Sequence, residues 1–219
     1  MAIIPTLMNE AISHYAESMF SSETPELAQL LKEAEQAGIP PISIGGVQGA
    51  FLQMLIQLTK AQTIVEVGSL AGYSAITMAL AMKEGGIIHC YEKDSRYCSF
   101  IERQAKTFNV QDRIIVHEGD AANLLEKEIP SKIDIVFIDA DKPSYVHYAE
   151  LLIPSLNSGG LLIGDNALAW GYIADAEPEF EPENVKGIQA FNEYVKRHES
   201  LHHPCIVPLG DGMCMAVKQ

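Results

Sequence analysis

The 219-residue chain carries 15 basic and 29 acidic side chains for a net charge of −14, and is 47% hydrophobic and 20% charged. The acidity disfavours non-specific attraction to nucleic acid or an anionic membrane, and the composition is ordinary for a soluble globular enzyme. No window approaches the roughly 18 uninterrupted apolar residues of a membrane span. Met1 to Met8 lacks the basic and apolar parts of a signal peptide. Cys90, Cys98, Cys205 and Cys214 form no C-x-x-C pair or zinc-like grouping, so reduced thiols in a cytoplasmic protein are expected. One large domain over 1–219 is expected, with residues 1–60 as a helical layer beside a sheet built from 61–219.

In chain order, Pro5 opens a helix expected to run to about Phe20. Thr24 reads as the N-cap of a second helix with Pro25 at its first position, closed by Gly38-Ile39-Pro40-Pro41. A third helix is expected from about Val47 to Lys60, with apolar residues at 47, 51, 52, 54, 55 and 58. From Thr63 the character changes. Strand-like runs at 63–67, 87–91, 113–117, 133–138 and 160–164 alternate with helical patterns near 73–83, 95–108, 120–128 and 143–156. That alternation predicts an α/β fold with a parallel sheet and right-handed crossovers. A helix near 186–199 precedes apolar runs at 204–208 and 213–218, joined by so short a link (Leu209-Gly210-Asp211-Gly212) that they must pair antiparallel. Five parallel strands finished by an antiparallel hairpin make seven.

The irregular stretch from Ala167 to Val185 reads as a working surface loop. Its carboxylates from Asp175 onward read as solvated, whereas Trp170 and Tyr172 are candidates for contact with a flat substrate. His202-His203 reads as solvated loop, and His147 as packing at the base of its helix.

Ligands bind outside the carboxyl ends of the strands in an open α/β sheet. The first strand ends in Gly68, followed by Ser69-Leu70-Ala71-Gly72-Tyr73-Ser74 and a helix. Glycines there let the backbone approach a ligand, and the helix start offers unpaired N–H groups. The spacing is G-x-x-x-G rather than the G-x-G-x-x-G of a pyrophosphate seat, which weighs against an NAD(P)-dependent oxidoreductase. Glu92 ends the second strand, where a carboxylate can hold both ribose hydroxyls, and Gly119-Asp120-Ala121 end the third beside the same crevice. An adenosine pocket without a phosphate grip suits S-adenosylmethionine. The fourth run, Ile133 to Ile138, ends in Asp139-Ala140-Asp141-Lys142; taken alone, such charges are more often solvated loop residues than a site.

With those residues in place, the chain resembles the metal-dependent class I O-methyltransferases, the group containing catechol and caffeoyl-coenzyme A O-methyltransferases and their bacterial relatives. The matching residues are Val65–Ser74 (VEVGSLAGYS), Glu92, Gly119-Asp120-Ala121, Asp139 to Lys142, Asp165-Asn166, Ala190-Phe191-Asn192 and Pro208 to Gly212. The resemblance implies a Rossmann-like class I methyltransferase fold, with Glu66, Gly68, Ser69, Gly72, Ser74, Glu92, Asp120, Ala121 and Asp139 around S-adenosylmethionine. It also implies a homodimer.

The ends of strands four and five lie about 4.8 Å apart if adjacent, so Asp139, Asp165 and Asn166 can converge on one divalent cation. All-oxygen donors select Mg²⁺, Mn²⁺ or Ca²⁺, and open positions for water and substrate favour Mg²⁺. Lys142 resembles the family's general base, its proton affinity expected to be lowered by the cation and by burial. Asp141 either orients Lys142 or faces solvent. The expected acceptor is a catechol-like or caffeoyl-like phenol. The rival within the family is a wobble 5-hydroxyuridine of tRNA, favoured only if Lys186, Lys196 and Arg197 lie near the active face. A non-catalytic cofactor-binding protein is the remaining alternative.

Overall fold

The computed structural model describes residues 8–219. Seven strands form one sheet: β1 Thr63–Val67, β2 Ile87–Glu92, β3 Ile114–Glu118, β4 Ile133–Ile138, β5 Leu156–Asp165, β6 Leu201–Val207 and β7 Met213–Lys218, in the spatial order β3-β2-β1-β4-β5-β7-β6. The first five run parallel, and β7 pairs antiparallel with both β5 and β6. The expected hairpin-finished sheet is therefore present.

The central strands β1, β4 and β5 are buried on both faces, which is why their sequences are apolar runs. On one face Ile64, Ile135, Phe137, Ile163 and Met215 pack against helices α2 (Pro25–Gln36), α3 (Gly46–Thr59), α4 (Tyr73–Ala81) and α5 (Ser95–Thr107) through Leu30, Leu52, Ile76 and Phe100. On the other, Val65, Val67, Val136, Ile138 and Leu162 meet α7 (Tyr145–Leu152) and α8 (Pro182–Arg197) through Tyr148, Ile188 and Phe191. A short α6, Ala121–Leu125, follows β3, and α1, Glu10–Phe20, precedes the rest.

Several boundaries differ from expectation, each for a local reason. Helix α1 starts at Glu10 with Asn9 accepting from the Ile12 N–H, and Pro5 lies outside the described residues. Helix α7 ends at Leu152, because Pro154 cannot continue the ladder, and β5 begins as early as Leu156, with a register shift in its pairing to β4. Helix α8 starts at Pro182, which takes the first-turn position where a missing N–H costs nothing. Strand β6 begins at Leu201 rather than 204, so His202 and His203 are strand residues, not loop. The pairing with β7 shifts register past them, His203 has φ +54°, and Pro204 is tolerated because β6 is the sheet edge. No helix among the described residues is long and apolar enough to cross a membrane.

Candidate active site

Strand order reverses on either side of β1 and β4, which opens a crevice at their carboxyl ends. The crevice is a cleft of about 900 Å³. Gly68, Ser69, Ser74, Glu92, Asp120, Ala121, Asp139, Asp141, Lys142, Asn166 and Trp170 all line it. Glu66 and Asp165, only 0% and 5% exposed, are not among the lining residues, and neither is Gly72. Tyr172 is absent from the wall; its ring stacks on Phe180, which in turn meets Trp170 edge-on. A smaller depression of about 450 Å³ beside β6, lined by Gln189, Asn192, Lys196 and Cys205, holds none of the expected site residues.

In the cofactor half, Gly68 has φ +86°, and a Cβ there would lie 2.2 Å from the Asp139 carbonyl oxygen. Glycine is what lets the ends of β1 and β4 close to form the floor. Glu92 Oε2 accepts from the Leu70 N–H and Oε1 from the Asp94 N–H, both at 2.9 Å. The ribose role expected of Glu92 would have to use its remaining lone pairs. Asp120 caps α6 through the Asn123 N–H. Ser74 donates to Glu66 Oε1, while Glu66 Oε2 and the neighbouring Ser69 hydroxyl have no well-formed hydrogen bond among the described residues, though Ser69 lies close enough to favour the Glu66 charge. Burial pushes the Glu66 carboxyl up to about 7. Orphaned polar atoms under and on the cleft floor fit a polar ligand such as the amino-acid part of S-adenosylmethionine.

In the other half, Lys142 Nζ donates to Asp139 Oδ1 at 2.9 Å and to the Tyr145 hydroxyl at 2.8 Å. Lys142 and Tyr145, three residues apart, are brought onto one side by the 3₁₀ turn Lys142–Ser144, whose Tyr145 N–H donates to the Lys142 carbonyl. Asp141 does not orient Lys142: it accepts from the Tyr148 hydroxyl at 2.8 Å. Asp165 Oδ1 accepts from Gln48 Nε2 at 2.9 Å. Burial first, and then the neighbouring Asp139 charge, push the Asp165 carboxyl up to about 7. A cation between the two carboxylates would relieve that pressure.

Among the described residues no three His, Cys, Asp or Glu side chains are placed to hold a metal. What the strand ends offer is two carboxylates and the Asn166 carboxamide: Asp139 Oδ2 and Asp165 Oδ2 lie outside the hydrogen bonds just described, and Asn166 uses its Nδ2, not its Oδ1, to donate to Asp211 Oδ2 at 3.3 Å. That all-oxygen set is too small for a cage and fits a hard cation that retains water and substrate in its shell. The pairing of Tyr148 with Asp141 and the reach of Gln48 to Asp165 were not foreseen. Neither residue stands near a motif, and only the packing of α3 and α7 on the sheet brings them in.

A family model described as O-methyltransferase matches residues 17–219. The chain is 31% identical over 215 residues to a catechol O-methyltransferase of Niastella koreensis, covering 95% of this chain and 96% of that protein. It is 30% identical over 193 residues to a caffeoyl-CoA O-methyltransferase of Populus kitakamiensis, covering 84% and 81%. Among solved structures, the O-methyltransferase from Bacillus cereus in complex with SAH superposes with a TM-score of 0.86 at 28% identity, covering 95% and 97% of the two chains.

Proposed function

The chain belongs to the O-methyltransferase family, and we propose that it transfers the methyl group of S-adenosylmethionine to one of two vicinal hydroxyls on a small catechol-like or caffeoyl-like acceptor, with a divalent cation, Mg²⁺ first, at Asp139, Asp165 and Asn166. The observation that carries this reading is the meeting of Lys142, Asp139 and the buried Asp165 at the ends of β4 and β5, beside the cleft that Ser69 and Glu92 line. An oxidoreductase or a non-catalytic binder falls away with the family.

Each residue has a distinct part. The half of the cleft lined by Ser69, Glu92 and Asp120 binds the nucleoside and amino-acid ends of the cofactor, and Gly68 lets the backbone come close. Trp170 and Ile42 form the acceptor wall, presenting flat apolar surface to a ring. Lys142, released from Asp139, takes the proton of the reacting hydroxyl at Nζ. The oxygen lone pair then forms the new C–O bond as the C–S bond breaks, leaving its electron pair on sulfur. When bound, the cation supplies Lewis acidity that favours the ionised hydroxyl. Tyr145, buried against Phe191, fixes the Lys142 approach.

A small acceptor is favoured over tRNA by charge. The cleft presents Glu92, Asp120, Asp139 and Asp141 against Lys93 and Lys142. Lys186, Lys196 and Arg197 are not among the cleft's lining residues: Lys196 lines the separate depression beside β6, and Lys186 and Arg197 face Glu177 and Glu193. Labelled S-adenosylmethionine incubated with catechol, a caffeoyl ester and bulk tRNA separates the readings. Label in the phenols supports this one, and label in tRNA alone replaces it.

A homodimer is also proposed. Helix α1 has no buried residue, and Tyr15, Met19 and Phe20 on it are about three-fifths exposed. Neighbouring α3 carries no charged residue in its 14 positions, yet exposes Met54 and Leu58. Helix α1 rests on α3, where the Val47 N–H donates to Glu17, and the charge-free apolar stripe of α3 in a chain of net charge −14 suits a second copy.

A further inference from the structure

The acceptor end of the cleft is bounded by Ile42, Ser43 and Ile44 before α3 and by Asn166 and Trp170 after β5. No Lys or Arg occurs from 33 to 59 or from 143 to 185, the two stretches that supply those walls. Lys142, which adjoins the second stretch, is held by Asp139 at 2.9 Å. Lys93, the other lysine of the cleft, follows Glu92 in the cofactor half. The N-terminus of α3, the helix end beside Ile44, is already engaged: the Val47 N–H donates to Glu17, and the Gly45 N–H to Gln48 Oε1.

Beyond Trp170 the charge is of one sign. Phe180, 46% exposed, meets the Trp170 ring edge-on at 5.6 Å and stacks on Tyr172. Glu179 and Glu181 flank Phe180 in the chain and are exposed, as are Asp175, Glu177 and Glu183 of the same loop. Among the described residues only Glu177 of these five has a cationic partner, Lys186. The wall is aromatic on its surface and acidic at its border. An aromatic face attracts a cation, and a cleft lined by one sign of charge gathers ions of the other. Coenzyme A carries a pyrophosphate and a ribose phosphate, groups that call for Arg, Lys or an open helix N-terminus. The acceptor end supplies none of these.

We propose that the cleft selects its acceptor by charge: it takes a free vicinal phenol that is neutral or bears an ammonium group, and rejects a coenzyme A thioester. The inference rests on the phenol reading above and narrows it. Glu179 and Glu181 form the selecting rim, and Trp170 with Phe180 the surface on which the far end of the acceptor lies. Rejection comes from placing anionic groups among carboxylates, so it acts on binding more than on the transfer step.

The experiment measures initial rates for four acceptors: catechols bearing a methyl, an aminoethyl or a carboxymethyl group, and caffeoyl-CoA. Each is run at low and high salt with wild type, Glu179→Lys and Glu179→Gln. KM is expected to rise from aminoethyl to methyl to carboxymethyl in steps of about 2–5-fold, the size of one exposed charge contact, with kcat changing less. Caffeoyl-CoA should fall on the order of 100-fold below methylcatechol in kcat/KM, as several such contacts compound. High salt compresses the series. Glu179→Lys brings the carboxymethyl KM toward the methyl value, and Glu179→Gln moves it the same way by less. Equal KM for the three small acceptors at low salt overturns the proposal, as does caffeoyl-CoA turned over as well as methylcatechol. A series that neither Glu179 variant moves overturns the role of the rim. If no acceptor is methylated, the phenol reading fails, and the ranking is read from binding instead, by quenching of Trp170, the single tryptophan of the chain. Equal affinities there overturn the charge selection.

Discussion

Lys142 Nζ sits 2.9 Å from Asp139 Oδ1, so the proposed proton acceptor and a proposed cation ligand are held as an ion pair at the end of one strand. Neither side chain is free to wander, because Lys142 also donates to the Tyr145 hydroxyl and lies 5.0 Å from that ring's centre. The pair is mostly shielded from water, which strengthens its attraction.

Lys142→Met keeps an unbranched stem over Tyr145 and deletes the nitrogen. Turnover should fall by about 10²–10⁴-fold, while cofactor affinity measured by calorimetry stays at the wild-type value. Turnover close to wild type would remove Lys142 from the base role.

Gly68→Ala tests the cleft floor. A left-handed φ alone costs about 1–3 kcal/mol for a side-chain-bearing residue, and the new Cβ would also press on the Asp139 carbonyl. In a chain of this size each kcal/mol lowers Tm by about 2–4 °C. Calorimetry should therefore show a clear drop in Tm together with loss of cofactor binding; a variant with wild-type Tm would mean the strand ends are not in contact.

The apo protein's stability should carry a pH signature from Glu66. Its folded carboxyl is raised to about 7 from an ordinary 4.5, so between those values the folded state binds more protons than the unfolded state. Stability from this group is present below about 4.5 and is lost as pH rises through 7. Glu66→Gln keeps an oxygen for the Ser74 hydroxyl and removes the titration. The Tm of the variant minus that of wild type should therefore grow from pH 5 to pH 8, and a difference that stays flat would show that Glu66 is not a buried, strained acid.

Leu58→Glu plants a charge in the exposed, charge-free stripe of α3. Light scattering should give wild type at twice the 24.0 kDa chain mass and the variant at the chain mass. Wild type at the chain mass, or a variant that stays paired, would move the interface elsewhere.

Most of the sheet was legible because strands buried on both faces leave continuous apolar runs, as Ile135 to Ile138 does, and because the candidate ligands stand at the ends of such runs. The parts that were not legible depend on packing between distant segments. Gln48 reaches Asp165 across 117 positions, and Asp211 reaches back 41 to Trp170; neither contact leaves a local pattern. Tyr148 takes Asp141 away from Lys142 only because α7 folds back beside its own strand. Only the start of β6 was masked, by Pro204 and the two histidines, residues that an edge strand accommodates and a central strand would not.

The claim that matters most is that Asp139, Asp165 and Asn166 make methyl transfer depend on a divalent cation. Initial rates of methyl transfer to catechol, measured with labelled S-adenosylmethionine in chelator and again after restoring Mg²⁺, test it most directly, with Asp139→Ala assayed alongside. The expected result is transfer abolished by chelator, restored by Mg²⁺ and absent in Asp139→Ala under both conditions. Equal rates with and without chelator would contradict the account.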